Sequence, residues 1–242
     1  MLGIIIPVYN EAENIKKVLP LLKKYIIYDF KIFLCYDMDE DNTLPIAIKI
    51  CDEEKIDLVL VKNYSTGACE AIKTGLLCSQ KSDVTASLVF PADDFYNISQ
   101  INLLYEKFLN NKCHIVCADR LIGGNRFENH PIIPYIIIQI TSFIIRYFTN
   151  LPTYDISSGF RLFSNYFLDS QIVESTDGFT YSIELLAKAY RGNWKIGWVP
   201  VICKKREHGK SRFKVFKWLP YYIKWLIHIL ITEFIYKRRN SG

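Results

Sequence analysis

Apolar and polar positions switch between two periods along the first half of the chain. Short apolar runs at Leu2 to Ile6, Ile32 to Cys35, Leu58 to Lys62, Ser87 to Phe90 and His114 to Ala118 have the length of strands buried on both faces. Segments of helical spacing lie between them. Glu11 to Tyr25 puts Ile15, Val18, Leu19 and Leu22 on one face, and further helices are predicted over Leu44 to Glu54, Gly67 to Ser79 and Ile101 to Leu109. The third of these is entered through Ser65-Thr66-Gly67-Ala68, and Gly75 allows a close approach within it. Repeated strand-helix units predict an α/β fold, with a mostly parallel central sheet and helices on both faces.

The second half carries longer apolar stretches and denser motifs. Ile132 to Ile145 is too short for a membrane span and contains Pro134 and Gln139, while Leu219 to Tyr236 is interrupted by Lys224, His228 and Glu233. Both read as interfacial helices, with Trp218, Tyr221, Tyr222 and Trp225 as amphipathic rings at a membrane surface. A helix packed on the body, or on a second subunit, is the alternative. Asp155 to Arg161 is a turn of small polar residues, Phe179 to Leu186 opens a helix, and Trp198 to Cys203 reads as a strand. That strand runs into Lys204-Lys205-Arg206-Glu207-His208-Gly209-Lys210-Ser211-Arg212-Phe213, a cationic loop suited to a diphosphate whose charge grows as it leaves.

Where the strands end, the chemistry begins. Phe90-Pro91-Ala92-Asp93-Asp94 delivers adjacent carboxylates to a sheet edge, as hard oxygen ligands for a divalent metal on a phosphate substrate. The run ending in Cys35-Tyr36-Asp37 repeats the pattern, and the first strand ends in Pro7-Val8-Tyr9-Asn10-Glu11. Ligands of open α/β sheets bind beyond the carboxyl ends of the strands, so three such endings outline one pocket.

At 242 residues and 50% hydrophobic content the chain can bury a full core, as a single α/β domain with a specialised C-terminal part. The division expected is a catalytic domain over 1–214 and an amphipathic, membrane-associating helix with a basic tail over 215–242. The net charge of +5 is concentrated in Lys204 to Lys217 and in Lys237-Arg238-Arg239, which points to a phosphate-bearing ligand or an anionic membrane surface. Nucleic acid is not expected, because no binding motif accompanies those residues. The seven scattered cysteines lack zinc-site spacing and read as reduced core residues. With no signal-peptide pattern at the start, the expected location is cytoplasmic, peripheral on the cytosolic face of a membrane.

Six segments occur in the order found in family 2 glycosyltransferases. They are Ile4 to Glu11, Tyr36 to Thr43, Ala92-Asp93-Asp94, Asp155 to Arg161, Ile183 to Leu186 and Arg206 to Phe213, and together they resemble the dolichol-phosphate mannose synthase-like branch from about Gly3 to Arg212. The resemblance implies a Rossmann-like GT-A fold, a GDP- or UDP-linked sugar donor, Mg²⁺ or Mn²⁺, inversion at the anomeric carbon and a polyprenyl-phosphate acceptor. A glycan acceptor and a homo-oligomer stay open, as does a noncatalytic nucleotide-sugar binding protein.

Carried over by position, the resemblance places Pro7, Tyr9 and Glu11 at the base and ribose end of the donor, with Cys35 and Asp37. Ala92 lies beside the donor, Asp93 binds the metal, and Arg120, Arg206 and Arg212 contact its phosphates or sugar, with Lys210 adding charge. Two positions depart from the pattern. Pro91 replaces the first acid of the metal motif, so either Asp94 substitutes or the metal is held more weakly. The paired basic residues that dock an acceptor phosphate are missing around His130 to Tyr135, where Arg126 or Arg146 would take over. A lipid phosphate attacks without a base, whereas a hydroxyl acceptor needs one, with Asp155 the first candidate and Glu184 the second. Structural readings stand beside these: Asp37, Asp41 and Glu11 as helix-start acids, Arg120 as a structural arginine, and Arg161 as a partner of Asp155.

Overall fold

The computed structural model describes residues 1–122, 127–128, 132–204 and 215–240, with backbone alone at 127–128, 215–216 and 237–240. Five strands, β1 (Leu2–Pro7), β2 (Phe30–Tyr36), β3 (Asp57–Lys62), β4 (Ala86–Val89) and β5 (Ile115–Asp119), alternate with α1 (Ala12–Tyr25), α2 (Thr43–Glu53), α3 (Ala68–Gln80) and α4 (Gln100–Asn111). Then follow β6 (Phe127–Glu128), α5 (Ile132–Phe148), β7 (Arg161–Ser164), α6 (Asn165–Leu168), α7 (Thr180–Arg191), β8 (Ile196–Pro200), β9 (Cys203–Lys204) and α8 (Val215–Asn240).

Seven strands form one sheet in the order β3-β2-β1-β4-β7-β5-β8, and β6 pairs with β9 separately. Every pairing in the large sheet is parallel except those of β7, which runs antiparallel between β4 and β5. The antiparallel strand is the feature that the apolar pattern leaves unannounced. Strand order reverses at β1, with β2 on one side and β4 on the other, which opens a crevice beyond their carboxyl ends.

Alternation along each strand builds two cores. Ile4, Ile6, Ile32, Leu34 and Leu88 face α1, α2 and α4, where Ile15, Val18, Leu19, Ala47 and Leu104 pack. Ile5, Phe33, Cys35 and Val89 face the other way, onto Ile72 and Leu76 of α3, and that cluster extends through Leu185 of α7 to Trp225 and Ile229 of α8. Each fully buried aliphatic side chain contributes roughly 1.5–3 kcal/mol. Gly75 is required by this packing, because a Cβ there would meet Cys35 Sγ and stand 2.8 Å from Ile5 Cγ2. Gly67 is required for another reason: its φ of +104° precedes α3 in a conformation that L side chains rarely adopt.

The C-terminal helix packs along α7 and touches α5. Its aromatic rings are not arranged as the sequence pattern implies. Trp225 is buried, and Trp218 stands edge-on to Phe179 at 6.4 Å, so these two rings serve the body of the protein. Ile223, Ile227, Ile231 and Phe234 are the residues left exposed. Glu233 is buried and anchors the helix, accepting from Tyr190 Oη and from the Asn150 backbone and side-chain nitrogens at 3.0 and 2.6 Å.

Candidate active site

Three strand ends converge on the crevice, each braced by its neighbours. Val8 N donates to Cys35 O at 2.9 Å, which ties the end of β1 to β2. The chain then turns at Asn10, with φ of 56°, and its N–H donates to Asp41 Oδ2 at 3.0 Å. Asp41, almost fully buried, also accepts from Thr43 N at 2.8 Å, and Thr43 Oγ1 accepts from Glu11 N at 2.8 Å. The start of α2 thus holds the start of α1. Asp41 is a helix-start brace, while Tyr9 is 37% exposed at the crevice edge and can offer a stacking face.

Asp37 closes the next loop. Its carboxylate accepts from Asn63 Nδ2 at 2.7 Å and from Gly67 N at 2.9 Å, which fixes the turn into α3 and leaves the outer lone pairs for a ligand. Glu11 accepts from Asn14 Nδ2 at 2.5 Å within α1. Cys35 is different. Its side chain is fully buried beneath α3, its thiol is pushed far up by burial, and it faces the core rather than a donor. Only its carbonyl serves the site.

Beyond β4, Phe90 N donates to Ile5 O at 2.9 Å, so the acidic loop leaves the sheet beside the end of β1. Asp93 is half-buried at this corner. Ala92 is buried in the core, which corrects the expectation that its side chain lies against the donor. Asp94 is occupied as well. Its Oδ1 accepts from Tyr96 N, Asn97 N and Asn97 Nδ2 at 3.2, 3.1 and 3.0 Å, and its Oδ2 accepts from Asn97 Nδ2 at 2.8 Å. Burial pushes its carboxyl up to about 6, against the pull of those donors. Asp94 is therefore a brace of the loop and a poor substitute for the acid that Pro91 replaces.

Among the described residues no group of three His, Cys, Asp or Glu side chains could hold a metal ion. What the corner supplies is one hard oxygen donor, Asp93, beside a crevice open to a diphosphate. That fits Mg²⁺ or Mn²⁺ carried largely by substrate oxygens and water, since such ions keep several non-protein ligands.

On the far side of the crevice the charged residues pair with one another. Arg120 donates through Nε to Asp155 Oδ2 at 2.5 Å and through Nη2 to Asp155 Oδ1 and Ser157 Oγ, both at 2.8 Å. Asp155 is 1% exposed. Burial pushes its carboxyl up, but Arg120 and Ser157 outweigh burial and hold it below the usual range. A carboxylate so held is unsuited to accept a proton, which corrects its assignment as a base. Glu184 fares no better: fully buried, it accepts from Glu174 N, Ser175 N and Lys188 Nζ, each at 2.7 Å. Arg161, also fully buried, donates to Ser182 O at 2.5 Å and to the Asp155 carbonyl at 2.9 Å, so it grips the backbone of Asp155 rather than its carboxylate.

Two residues of the site escaped the sequence reading. Asp119, fully buried at the end of β5, accepts from Thr153 Oγ1 at 2.7 Å and Tyr154 N at 2.9 Å, and so seats the segment that carries Asp155. Its signal was present, because Cys117-Ala118-Asp119 repeats the strand-then-acid pattern of Asp37 and Asp93. Asn97 had no such signal. Arg206, Lys210, Arg212, Arg126 and His208 lie outside the described residues. Arg146 lies over the Tyr154 ring, 4.4 Å from its centroid.

Residues 3–171 match the family described as glycosyl transferase family 2. The chain belongs to glycosyl transferase family 2. Solved structures share the fold of this family member. Glucosyl-3-phosphoglycerate synthase from Mycobacterium tuberculosis, in complex with Mn²⁺, UDP and glucosyl-3-phosphoglycerate, superposes with a TM-score of 0.64 at 14% identity, over 96% of this chain and 80% of that one. The same enzyme with Mn²⁺, UDP and phosphoglyceric acid gives 0.66 at 14% identity, over 96% and 78%. A mycobacterial protein gives 0.66 at 13% identity, over 96% and 74%. The seven-stranded, mostly parallel sheet is the GT-A fold.

Proposed function

We propose that this glycosyltransferase moves a sugar, with inversion, from a nucleotide-diphosphate sugar to the phosphate of a lipid-linked acceptor at a membrane surface. The observation that carries the donor half is the convergence of Tyr9, Glu11, Asp37 and Asp93 on the crevice where strand order reverses at β1. In this reading Tyr9 stacks on the base, Glu11 and Asp37 accept from base or ribose, and Asp93 holds Mg²⁺ or Mn²⁺ against the diphosphate. The metal neutralises charge on the leaving group. Arg206 and Arg212, with Lys210, stabilise the same group from the segment after β9. Arg120 reaches the site from the opposite wall.

The acceptor half rests on two observations. Both candidate bases are committed to structural partners, and a phosphate acceptor needs none: an anionic oxygen attacks the anomeric carbon as the bond to the nucleoside diphosphate breaks, and the electron pair leaves with the diphosphate. In addition, α5 presents Ile133, Ile136, Ile140, Phe143 and Tyr147 at alternating spacings of three and four, each exposed by 49% or more. Its neighbour α8 adds Ile223, Ile227, Ile231 and Phe234. Among the described residues no helix is long and apolar enough to cross a membrane, so this surface would lie along a bilayer.

A second reading has one observation in its favour. The structurally similar synthase was crystallised with UDP-glucose and glycerol 3-phosphate, so a small phosphorylated acceptor is the competing substrate class. Calorimetry with a panel of UDP- and GDP-sugars, with and without Mn²⁺, tests the donor. Metal-dependent binding of one donor, lost in Asp93→Ala, is expected, and no binding by folded protein would overturn the reading. With the radiolabelled donor, product extracted into organic solvent from polyprenyl-phosphate vesicles supports the lipid acceptor. Label transferred to glycerol 3-phosphate alone would reject it.

A further inference from the structure

The loop that carries Asp93 is joined by one buried side chain to the strand that leads into the cationic segment. Asn97 is 2% exposed. Its Nδ2 donates to Ile202 O at 2.7 Å, and its Oδ1 accepts from Ile202 N at 2.9 Å. The amide thus pairs with both backbone groups of residue 202, as an adjacent strand would. The same nitrogen donates to both oxygens of Asp94, at 3.0 and 2.8 Å. A second tie lies on the surface, where Lys204 Nζ stands 4.4 Å from the Tyr96 ring centroid. Lys204 ends β9, and Lys205 to Lys214 follow directly in the chain.

We propose that Asn97 is a positioning residue for sugar transfer, holding the Asp93 loop and the entrance to the cationic segment as one unit. This rests on the roles given above to Asp93, Arg206 and Arg212. Those groups must meet one diphosphate from two separate stretches of chain, and Arg206 lies only four residues beyond Ile202. At no more than about 3.6 Å per residue, that short a connection passes a displacement at Ile202 on to Arg206. A misplacement of about 1 Å can cost on the order of 100-fold in rate. The amide is chemically specific for the task, because it offers a donor and an acceptor together. Aspartate would set a second acceptor against Ile202 O, and leucine would leave both backbone groups unpaired.

The test is a double-mutant cycle with the donor that binds, read as kcat and KM in the presence of Mn²⁺. Asn97→Leu is expected to lower kcat about 30-fold while donor KM changes less than about 3-fold. In an Arg206→Ala background the same substitution should cost less than about 3-fold, because the relation it sets no longer matters. Full multiplicative losses in the double variant would overturn the proposal, as would near-wild-type kcat in folded Asn97→Leu protein. If Asn97→Leu does not fold, Tyr96→Leu on the exposed tie carries the cycle. Its expected loss is about 3-fold and vanishes in the Arg206→Ala background. A loss that persists there, or no loss at all, would count against the coupling. Wild-type protein that neither binds nor turns over any nucleotide sugar defeats the functional reading and this inference with it. Wild-type turnover with multiplicative losses defeats this inference alone.

Discussion

Asp93 and Asp119 end neighbouring segments of the same sheet in the same local pattern, an apolar strand closing on an acid, yet they have opposite fates. Asp93 stays half-buried at the crevice beside the end of β1. Asp119 is fully covered, because the segment Thr153 to Asp155 folds over the end of β5 and spends its donors on that carboxylate. The contrast extends to each half of the site. On the donor side, acids brace loops and keep an outward edge. On the opposite wall, Arg120, Asp155 and Arg161 are buried and satisfy one another or the backbone. A strand-terminal acid becomes a ligand-binding group only where nothing packs across the strand end.

The sharpest way to break this comparison is to remove each acid. Asp93→Ala is expected to lower kcat by about 1000-fold or more with little change in unfolding midpoint, as initial rates at saturating Mn²⁺ and a thermal melt would show. Asp119→Ala should do the reverse. It orphans five donated hydrogen bonds, from Leu121, Ile122, Thr153, Tyr154 and Asp155, and should cost roughly 3–5 kcal/mol in urea unfolding. A stable but inactive Asp119→Ala protein would place that acid in the chemistry instead.

The paired wall can be tested as a unit. Arg120→Met alone leaves the Asp155 carboxylate buried without its guanidinium and should cost about 3–5 kcal/mol. Adding Asp155→Leu should recover part of that loss. Purely additive losses in chemical denaturation would show that the two side chains do not act as a pair. On α5 the contrast is between faces of one helix. Ile145→Glu, at a fully buried position, should destabilise by about 3 kcal/mol, whereas Ile140→Glu, 56% exposed, should stay within about 0.5 kcal/mol. Ile140→Glu should nevertheless reduce cosedimentation with anionic vesicles, and unchanged cosedimentation would remove α5 from the membrane reading.

The smallest expected effect concerns pH. Burial lowers the His228 imidazole below its ordinary value of 6.5, with Arg191 and Lys188 acting in the same direction and Glu174 against it. Below 6.5 the unfolded chain takes up a proton that the folded chain resists, so stability is complete above that pH and falls as the solution is acidified through it. His228→Gln should flatten that decline. His114, also lowered by burial, leaves a residual slope of the same sign. A variant with the wild-type pH profile would show that His228 does not contribute.

The elements were legible because their signals are local. The parallel strands and the helices between them sit within a few residues of where period and turn chemistry put them, and the acids at the ends of β1, β2 and β4 could be named from the chain alone. What escaped were properties of contact. Nothing in Leu162-Phe163 says that this strand runs antiparallel between β4 and β5. Cys35 and Ala92 adjoin strand ends, and only packing turns their side chains inward. Asp155 reads as a base until Arg120, 35 residues away, takes both its oxygens. Trp218 and Trp225 read as membrane aromatics until α7 claims them.

By itself, then, the sequence determined the alternating α/β framework, the acidic strand ends and the cationic segment, since hydrophobic period and residue chemistry are written in order along the chain. Only the tertiary structure decided which charged groups face the crevice and which are consumed within the fold. Availability depends on partners that arrive from distant segments, and a buried carboxylate with its hydrogen bonds filled no longer acts as the group its sequence suggests.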